Sequence, residues 1–202
     1  MKSFIGAKTR LGGLLSPAER ARLAQAMAER TLMACRPWPV TVVCDDREVA
    51  KWAEAHGAVP AWMPGPGLNA AVTKGVQMLA DQGYKWVTVL HADLPLLSGI
   101  SQMIDTGIGD ATGGIVVIAP DRHRSGTNAI TIPASSGFGF SYGVGSFQRH
   151  CIEAHRVGLE VLVLDDHEIS HDIDSPEDLW ALDSQLVATM CAPCTDLFER
   201  RP

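Results

Sequence analysis

Two acidic segments carry the strongest chemical signal in this sequence. The run VTVLHADLPLL, 87–97, is β-branched and apolar until it reaches His91, Ala92 and Asp93, and then turns through Leu94 and Pro95. Aspartate before a Leu-Pro turn is ordinary turn chemistry. A carboxylate at the carboxyl end of a strand in an α/β sheet also faces the crevice where such folds bind ligands. HDID, 171–174, reads as a short extended segment, so Asp172 and Asp174 share one face. Asp93 brought beside one of them offers two hard oxygen ligands. Mg²⁺ is suited by one or two carboxylates, its other positions being left to water and phosphate. Asp174 equally suits the dipole of the last helix, and spacing alone leaves both readings open.

The basic residues fall in two groups. Lys2, Lys8 and Arg10 precede the first helix, and Arg122, His123 and Arg124 follow the strand GGIVVIAP. Solvated surface charge is the usual role of such residues, but a Lys and Arg segment leading into a helix also supplies the point charges and forked donors that a triphosphate needs. Ser125-Gly126-Thr127-Asn128 and Gly143-Val144-Gly145-Ser146 add hydroxyls and glycines. The second of these precedes a helix, where backbone N–H groups can grip a phosphate or carboxylate. Gly65-Pro66-Gly67-Leu68-Asn69-Ala70 matches GxGxxA ahead of a helix, the outline of a dinucleotide fingerprint. The strand before it is short, contains Pro60 and is not the first of the chain, which weakens that reading. No G-x-S-x-G elbow or P-loop occurs, against a serine hydrolase or a Walker-type ATPase. Cys191 and Cys194 form a CxxC near the end of the chain, with no second pair to complete a zinc site.

These groups need elements to position them. Ser16-Pro17-Ala18-Glu19 opens a helix with a capping box and proline at its first position, and the pattern ends at Arg36-Pro37. VTVVC is a strand, the segment from Asp45 to Gly57 a helix, and 58–62 a short strand. A helix capped by Asn69 runs to Asp81, and the strand ending at Asp93 follows. After a helix near 100–105 come a fully apolar strand, GGIVVIAP, and, past a loop, a further strand, TNAITIP. Ser146 caps a helix to Val157, EVLVLD is a strand, and Ser175-Pro176-Glu177-Asp178 opens the last helix. This β-α alternation predicts an α/β fold with a mainly parallel central sheet covered by helices on both faces.

With 46% hydrophobic residues in 202, the chain has the material for one real core, and no repeat or linker divides it; one domain spanning 1–202 is expected. A formal charge of −6 argues against broad nucleic-acid binding. No stretch is long and apolar enough to span a membrane, MKSFIGAKTR lacks a secretory apolar region, and an odd count of five cysteines reads as reduced thiols; a cytoplasmic protein is expected.

KSFIGAKTRLGGLLSPAERARLAQAM, GPGLNAAVTKG, VLHADLPLL, IAPDRHRSGTNA, YGVGSFQRH and DIDSPEDL occur in this order. Together they make the chain resemble the phospholactate or phosphoenolpyruvate guanylyltransferase family of coenzyme F-420 biosynthesis. The resemblance runs from Lys2 to Leu182 and leaves the tail 185–202 outside it. It implies a Rossmann-like nucleotidyltransferase fold of the glycosyltransferase-A type. The implied reaction is transfer of GMP from GTP, with Mg²⁺, to phosphoenolpyruvate, 2-phospho-L-lactate or 3-phosphoglycerate, releasing pyrophosphate. By motif, Asp93 and Asp174 look like the metal ligands, with Asp172 a helper. Thr127, Gly143 and Ser146 look like acid contacts. Lys2, Lys8 and Arg10 match the triphosphate segment, and Gly67 and Asn69 the nucleoside loop. The product would pass to a transferase acting on the deazaflavin precursor; a homodimer is compatible with the resemblance but not required by it. Family members ordinarily begin with an apolar strand leading into the first lysine, whereas here Met1 precedes Lys2 directly. The expectation is a sheet without its first strand, or a start downstream of the natural one, with an upstream extension restoring stability and turnover.

Overall fold

The computed structural model describes residues 1–65, 67–109 and 114–190. The capping box read at Ser16 is present: the Ser16 hydroxyl accepts the Glu19 N–H at 3.3 Å, and the Glu19 carboxylate accepts the Ser16 N–H at 2.7 Å. It launches α1 (Pro17–Ala34), after a single 3-10 turn over Thr9–Leu11. There follow β1 (Thr41–Cys44), α2 (Arg47–Ala55), β2 (Val59–Trp62), α3 (Gly67–Asp81), β3 (Trp86–Leu90) and α4 (Ile100–Gly109). The chain continues through β4 (Ile115–Pro120), β5 (Thr127–Pro133), α5 (Ser146–Arg156), β6 (Glu160–Val163), α6 (Pro176–Trp180) and α7 (Ser184–Met190).

The larger sheet has the order β3-β5-β4-β6. β4 and β6 run parallel, while β5 runs against both β3 and β4, so three of the four strands share a direction and β5 is inserted between them in the opposite one. The reason is local. The connection 121–126 between β4 and β5 holds no helix, and without a crossover the chain folds back antiparallel. That connection is drawn tight by the Asp121 carboxylate, which accepts the N–H groups of Ser125 at 2.9 Å and Gly126 at 2.7 Å. A Cβ on Gly126 would stand 2.7 Å from Asp121 Oδ2, so any other residue there would push the carboxylate off these N–H groups. The reversal brings the first residues of β5 to the edge where β3, β4 and β6 end: Leu90 pairs with Ala129, Pro120 with Thr127, and Ile118 with Val163.

β4 and β5 are buried along almost their whole length, which explains the unbroken apolar run of β4, while β5 carries buried Thr127, Asn128 and Thr131. Alternate residues supply two cores. Val116, Ile118, Ile130 and Ile132 pack with Phe138, Phe140 and Phe147, while Val117, Ala119 and Ala129 pack with Leu97, Met103 and Ile169. A third cluster joins Leu11, Leu15, Leu23 and Met27 to Ile173 and Leu179, fastening the segment after Lys8 to the one before Asp174.

β1 and β2 form a separate parallel pair, and α3 packs against both β1 and β3. Met1 lies along the end of β1: its ammonium donates to the Val43 carbonyl, and its own carbonyl accepts the Asp45 N–H at 3.2 Å, the alternation of a parallel ladder. Four local expectations are corrected. HDID is not a strand but an irregular segment, held where the Ile173 N–H reaches the Asp93 carbonyl at 3.3 Å. The last helix is two short ones, α6 and α7. Finally, α3 begins at Gly67, ahead of Asn69, and α5 is capped by Gly145 at φ 76°, with Ser146 its first residue. Cys191 and Cys194 lie outside the described residues. No helix among the described residues is long and apolar enough to cross a membrane.

Candidate active site

Lys8 stands at the centre of the edge. Its backbone is left-handed, φ 52°, at the start of the 3-10 turn, a conformation that costs a non-glycine residue about 1 kcal/mol and often marks a site. The side chain is 8% exposed, and Nζ donates to Asp93 Oδ2 at 2.7 Å and to Asp174 Oδ1 at 3.0 Å. Arg10, 76% exposed, approaches Asp174 Oδ2 at 3.6 Å from the solvent side. Asp172 is beside them, its Oδ1 3.4 Å from the Asn128 amide.

The charges are mutually dependent. Burial pulls the Lys8 ammonium down, but Asp93 and Asp174 outweigh it and its pKa is raised. Burial pushes the Asp93 carboxyl up, yet Lys8, and after it His91, hold it below the usual carboxylate range. Asp172 has no such cation: burial, with the Asp93 charge added, raises it. Asp178 fixes the segment from below. Its Oδ2 accepts the N–H groups of Asp174 at 2.9 Å and Ser175 at 2.7 Å, and Oδ1 takes the Arg122 guanidinium.

Asp93 Oδ1 is buried without a hydrogen-bond partner, as are His91 Nε2 and Tyr142 Oη. These residues are successive neighbours: His91 Nδ1 lies 3.9 Å from Asp93 Oδ1, and the His91 and Tyr142 rings are 5.1 Å apart. Unpaired buried polar atoms are costly and point to a missing partner. Among the described residues no group of three or more His, Cys, Asp or Glu forms a ready-made metal cage. The unpaired Asp93 oxygen and the neighbouring Asp174 are hard donors of the kind that suits Mg²⁺.

A second wall faces this cluster. Ser125 joins the two glycine-rich motifs, its Oγ accepting the Gly145 N–H at 3.2 Å and its carbonyl the Phe147 N–H at 3.1 Å. Asn69 Oδ1 accepts the Tyr142 N–H at 2.7 Å, tying the start of α3 to the same loop. Asn128 donates to the Ile169 carbonyl at 3.0 Å, and its own carbonyl accepts the His91 N–H at 3.0 Å. His150, fully buried, meets Thr127 Oγ1 at 2.9 Å through Nδ1 and accepts the Ser141 N–H at 3.0 Å through Nε2. Burial, with the Arg149 charge added, pushes its pKa down to about 4.

The structure thus brings together Lys8, Arg10, Asp93, Asp172 and Asp174 on one wall. Asn69 is tied through Tyr142 to the loop of Gly143 and Ser146, with Gly67 two residues before it, while Thr127 and Ser146 are themselves buried. Lys2 is exposed and takes no part in the ion-pair cluster. The expected grip by N–H groups at the start of α5 is also revised. Ser146 N–H already donates to the Gly143 carbonyl, and Gly145 and Phe147 donate to Ser125. Within the loop 141–146, the N–H groups of Gly143 and Val144 are those without a protein acceptor. Sequence reasoning missed His91, Asn128, Tyr142 and His150. The spacing of Ser146 and His150, i and i+4 on one helix face, is a signal that could have found the last.

The fold is shared with a solved protein described as a nucleotide-diphospho-sugar transferase. That structure, from Desulfovibrio desulfuricans G20, aligns with TM-score 0.78 at 19% identity, covering 99% of this chain and 94% of that one. The CMP:2-keto-3-deoxy-manno-octonic acid synthetase complexed with CTP aligns with TM-score 0.58 at 14% identity, covering 94% and 95%. Residues 1–183 match the family described as "Guanylyl transferase CofC like", and the chain belongs to that family. It is 36% identical over 189 residues to a phosphoenolpyruvate guanylyltransferase of Rubrobacter xylanophilus, covering 91% of each chain. It is 31% identical over 189 residues to a 3-phospho-D-glycerate guanylyltransferase of Phenylobacterium zucineum, covering 88% of this chain and 84% of the relative. The protein is therefore a nucleotidyltransferase. The dinucleotide reading of GPGLNA gives way: among the described residues β2 pairs with β1 alone, and Asn69 is committed to Tyr142.

Proposed function

We propose that this chain transfers GMP from GTP to the phosphate of a small three-carbon phospho-acid, one of phosphoenolpyruvate, 2-phospho-L-lactate or 3-phosphoglycerate. An oxygen of the acid's phosphate attacks the α-phosphorus of GTP, the α-β bridging bond breaks, and pyrophosphate leaves. No protein nucleophile is needed, so the work is alignment of two anions and neutralisation of their charge. The observation that carries the reading is Lys8 held between Asp93 and Asp174, with Arg10 outside them, at the edge also reached by Thr127.

In this reading Lys8 and Arg10 meet phosphate oxygens, and the loop from Gly67 to Asn69 borders the nucleoside. Thr127 and the free N–H groups of Gly143 and Val144 meet the acid. Asp93 and Asp174, with Asp172 beside them, would hold Mg²⁺, which when bound supplies Lewis-acid stabilisation of the triphosphate. Both substrates are cytoplasmic metabolites, which supports a cytoplasmic location. The activated acid is suited to a transferase that displaces GMP with a deazaflavin precursor.

The test is pyrophosphate release from GTP and Mg²⁺ with each of the three acids, with CTP and ATP as nucleotide controls. Release with GTP and one acid is the expected result. Release that is equal with CTP, or that needs no acid, would refute the reading.

A further inference from the structure

His150 has no role in the chemistry described so far, yet it is fully buried with both ring nitrogens engaged. Its partners decide its tautomer. The Ser141 N–H can only donate, so Nε2 must be the acceptor in that 3.0 Å bond. In a neutral imidazole the proton is then on Nδ1, and the 2.9 Å contact to Thr127 has Nδ1–H donating to Oγ1. This bond fixes the hydroxyl. With Oγ1 accepting from His150, the Thr127 proton cannot point back at the ring, and among the described residues no other hydrogen bond is made by that oxygen.

The surroundings hold the ring in place. Tyr142 and Phe138 lie 5.0 Å and 5.7 Å from it, centroid to centroid, and α5 carries it next to the loop that ends at Ser146. Imidazole therefore links the start of β5 to the loop 141–146, the two segments that flank the acid in the reading above.

We propose that His150 is a positioning residue for the acceptor acid: held as the Nδ1–H tautomer by the Ser141 N–H, it directs the proton of the buried Thr127 hydroxyl away from the ring, as a donor to the acid's carboxylate or phosphate. The inference rests on the proposed function, through Thr127 as an acid contact.

Two substitutions separate this role from simple packing. In His150→Asn the amide nitrogen falls near the position of Nδ1 and still donates to Thr127. In His150→Gln the amide reaches the position of Nε2, keeps the Ser141 bond and gives up Thr127. Steady-state kinetics, with GTP and the three acids varied separately, are read beside the melting temperature. His150→Gln is expected to raise the acid KM about tenfold while the GTP KM changes less than about twofold, the worth of one hydrogen bond. His150→Asn is expected to disturb the acid KM less and the melting temperature more. Thr127→Val should raise the acid KM similarly, and adding His150→Gln to it should change the KM little further, because the two act as one unit. A fall in melting temperature without a selective change in acid KM overturns the proposal, as do additive effects in the double variant. If the unaltered protein releases no pyrophosphate with any acid, the proposed function fails and the inference falls with it. Turnover in the unaltered protein with unselective variants removes the inference alone.

Discussion

The Lys8 ammonium sits 2.7 Å from Oδ2 of Asp93, a residue 85 positions away in the chain. Two segments with no local reason to meet are joined there by a mostly buried charge pair, and Asp174 closes the triangle. Removing one member of such a pair is more damaging than its net contribution to stability, because the remaining charge is left without its partner. Lys8→Met is expected to lower stability by about 1–3 kcal/mol by urea unfolding. Millimolar Mg²⁺ should restore part of the loss, since a divalent cation can take up the same carboxylates. No recovery on adding Mg²⁺ would count against the metal assignment.

Asp93→Asn and Asp174→Asn should each reduce kcat/KM about 100-fold or more, the scale on which removing a charge-stabilising group acts. The two should differ in stability. The Asp93 side chain is the more enclosed and answers Lys8 directly, so its variant should melt lower, whereas that of Asp174 is about half exposed. Near-normal turnover in either variant would refute its role.

Asp178 offers a control outside the reacting groups. Its carboxylate holds the Asp174 and Ser175 N–H groups and the Arg122 guanidinium. Asp178→Ala leaves these groups unpaired and is expected to cost about 1–3 kcal/mol. Turnover should fall as well, because the backbone that presents Asp174 is released. Arg122→Ala keeps the two N–H bonds and should cost less on both measures.

Acid should destabilise the protein through His150. Its pKa is about 4 in the folded state against 6.5 for the free side chain, so below about pH 6.5 the unfolded chain binds the extra proton and stability falls. The full effect at pH 4 is on the order of 3 kcal/mol. Arg149 and His91 oppose protonation while Glu153 favours it. Asp172, whose pKa is raised, contributes with the opposite sign as the pH falls, and Asp93 enters only below the ordinary aspartate range. Urea unfolding at pH 7 and pH 4.5 should show the loss in the unaltered protein and a smaller one in His150→Asn. Equal slopes would assign the acid limb elsewhere.

Much of this arrangement is legible in the residues. The capping box at Ser16, the buried runs of β4 and β5, and the carboxylate after β3 follow from short-range chemistry. Strand direction does not: TNAITIP is buried on both faces, and a two-sided run carries no mark of which way it lies. HDID alternates like a strand, but Ile173 is drawn into the cluster with Leu11 and Leu179, and that packing overrides the pattern. Lys2 and Lys8 look alike as isolated basic residues. Only the fold separates them, by setting Lys8 between two aspartates and leaving Lys2 in solvent. Asn69 stands out in the sequence only as part of GPGLNA, and its link to Tyr142 spans 73 positions and has no local signature.

The antiparallel insertion of β5 divides the inheritance of the two substrates. The groups assigned to the triphosphate come from the turn at Lys8, the exit of β3 and the loop before α6. Those assigned to the acid come from the entry of β5 and the loop before α5. In the proposed reading the two sets meet at only a few bonds, among them Arg122 to Asp178 and Asn69 to Tyr142, so a change of acid that spares these leaves the handling of GTP in place.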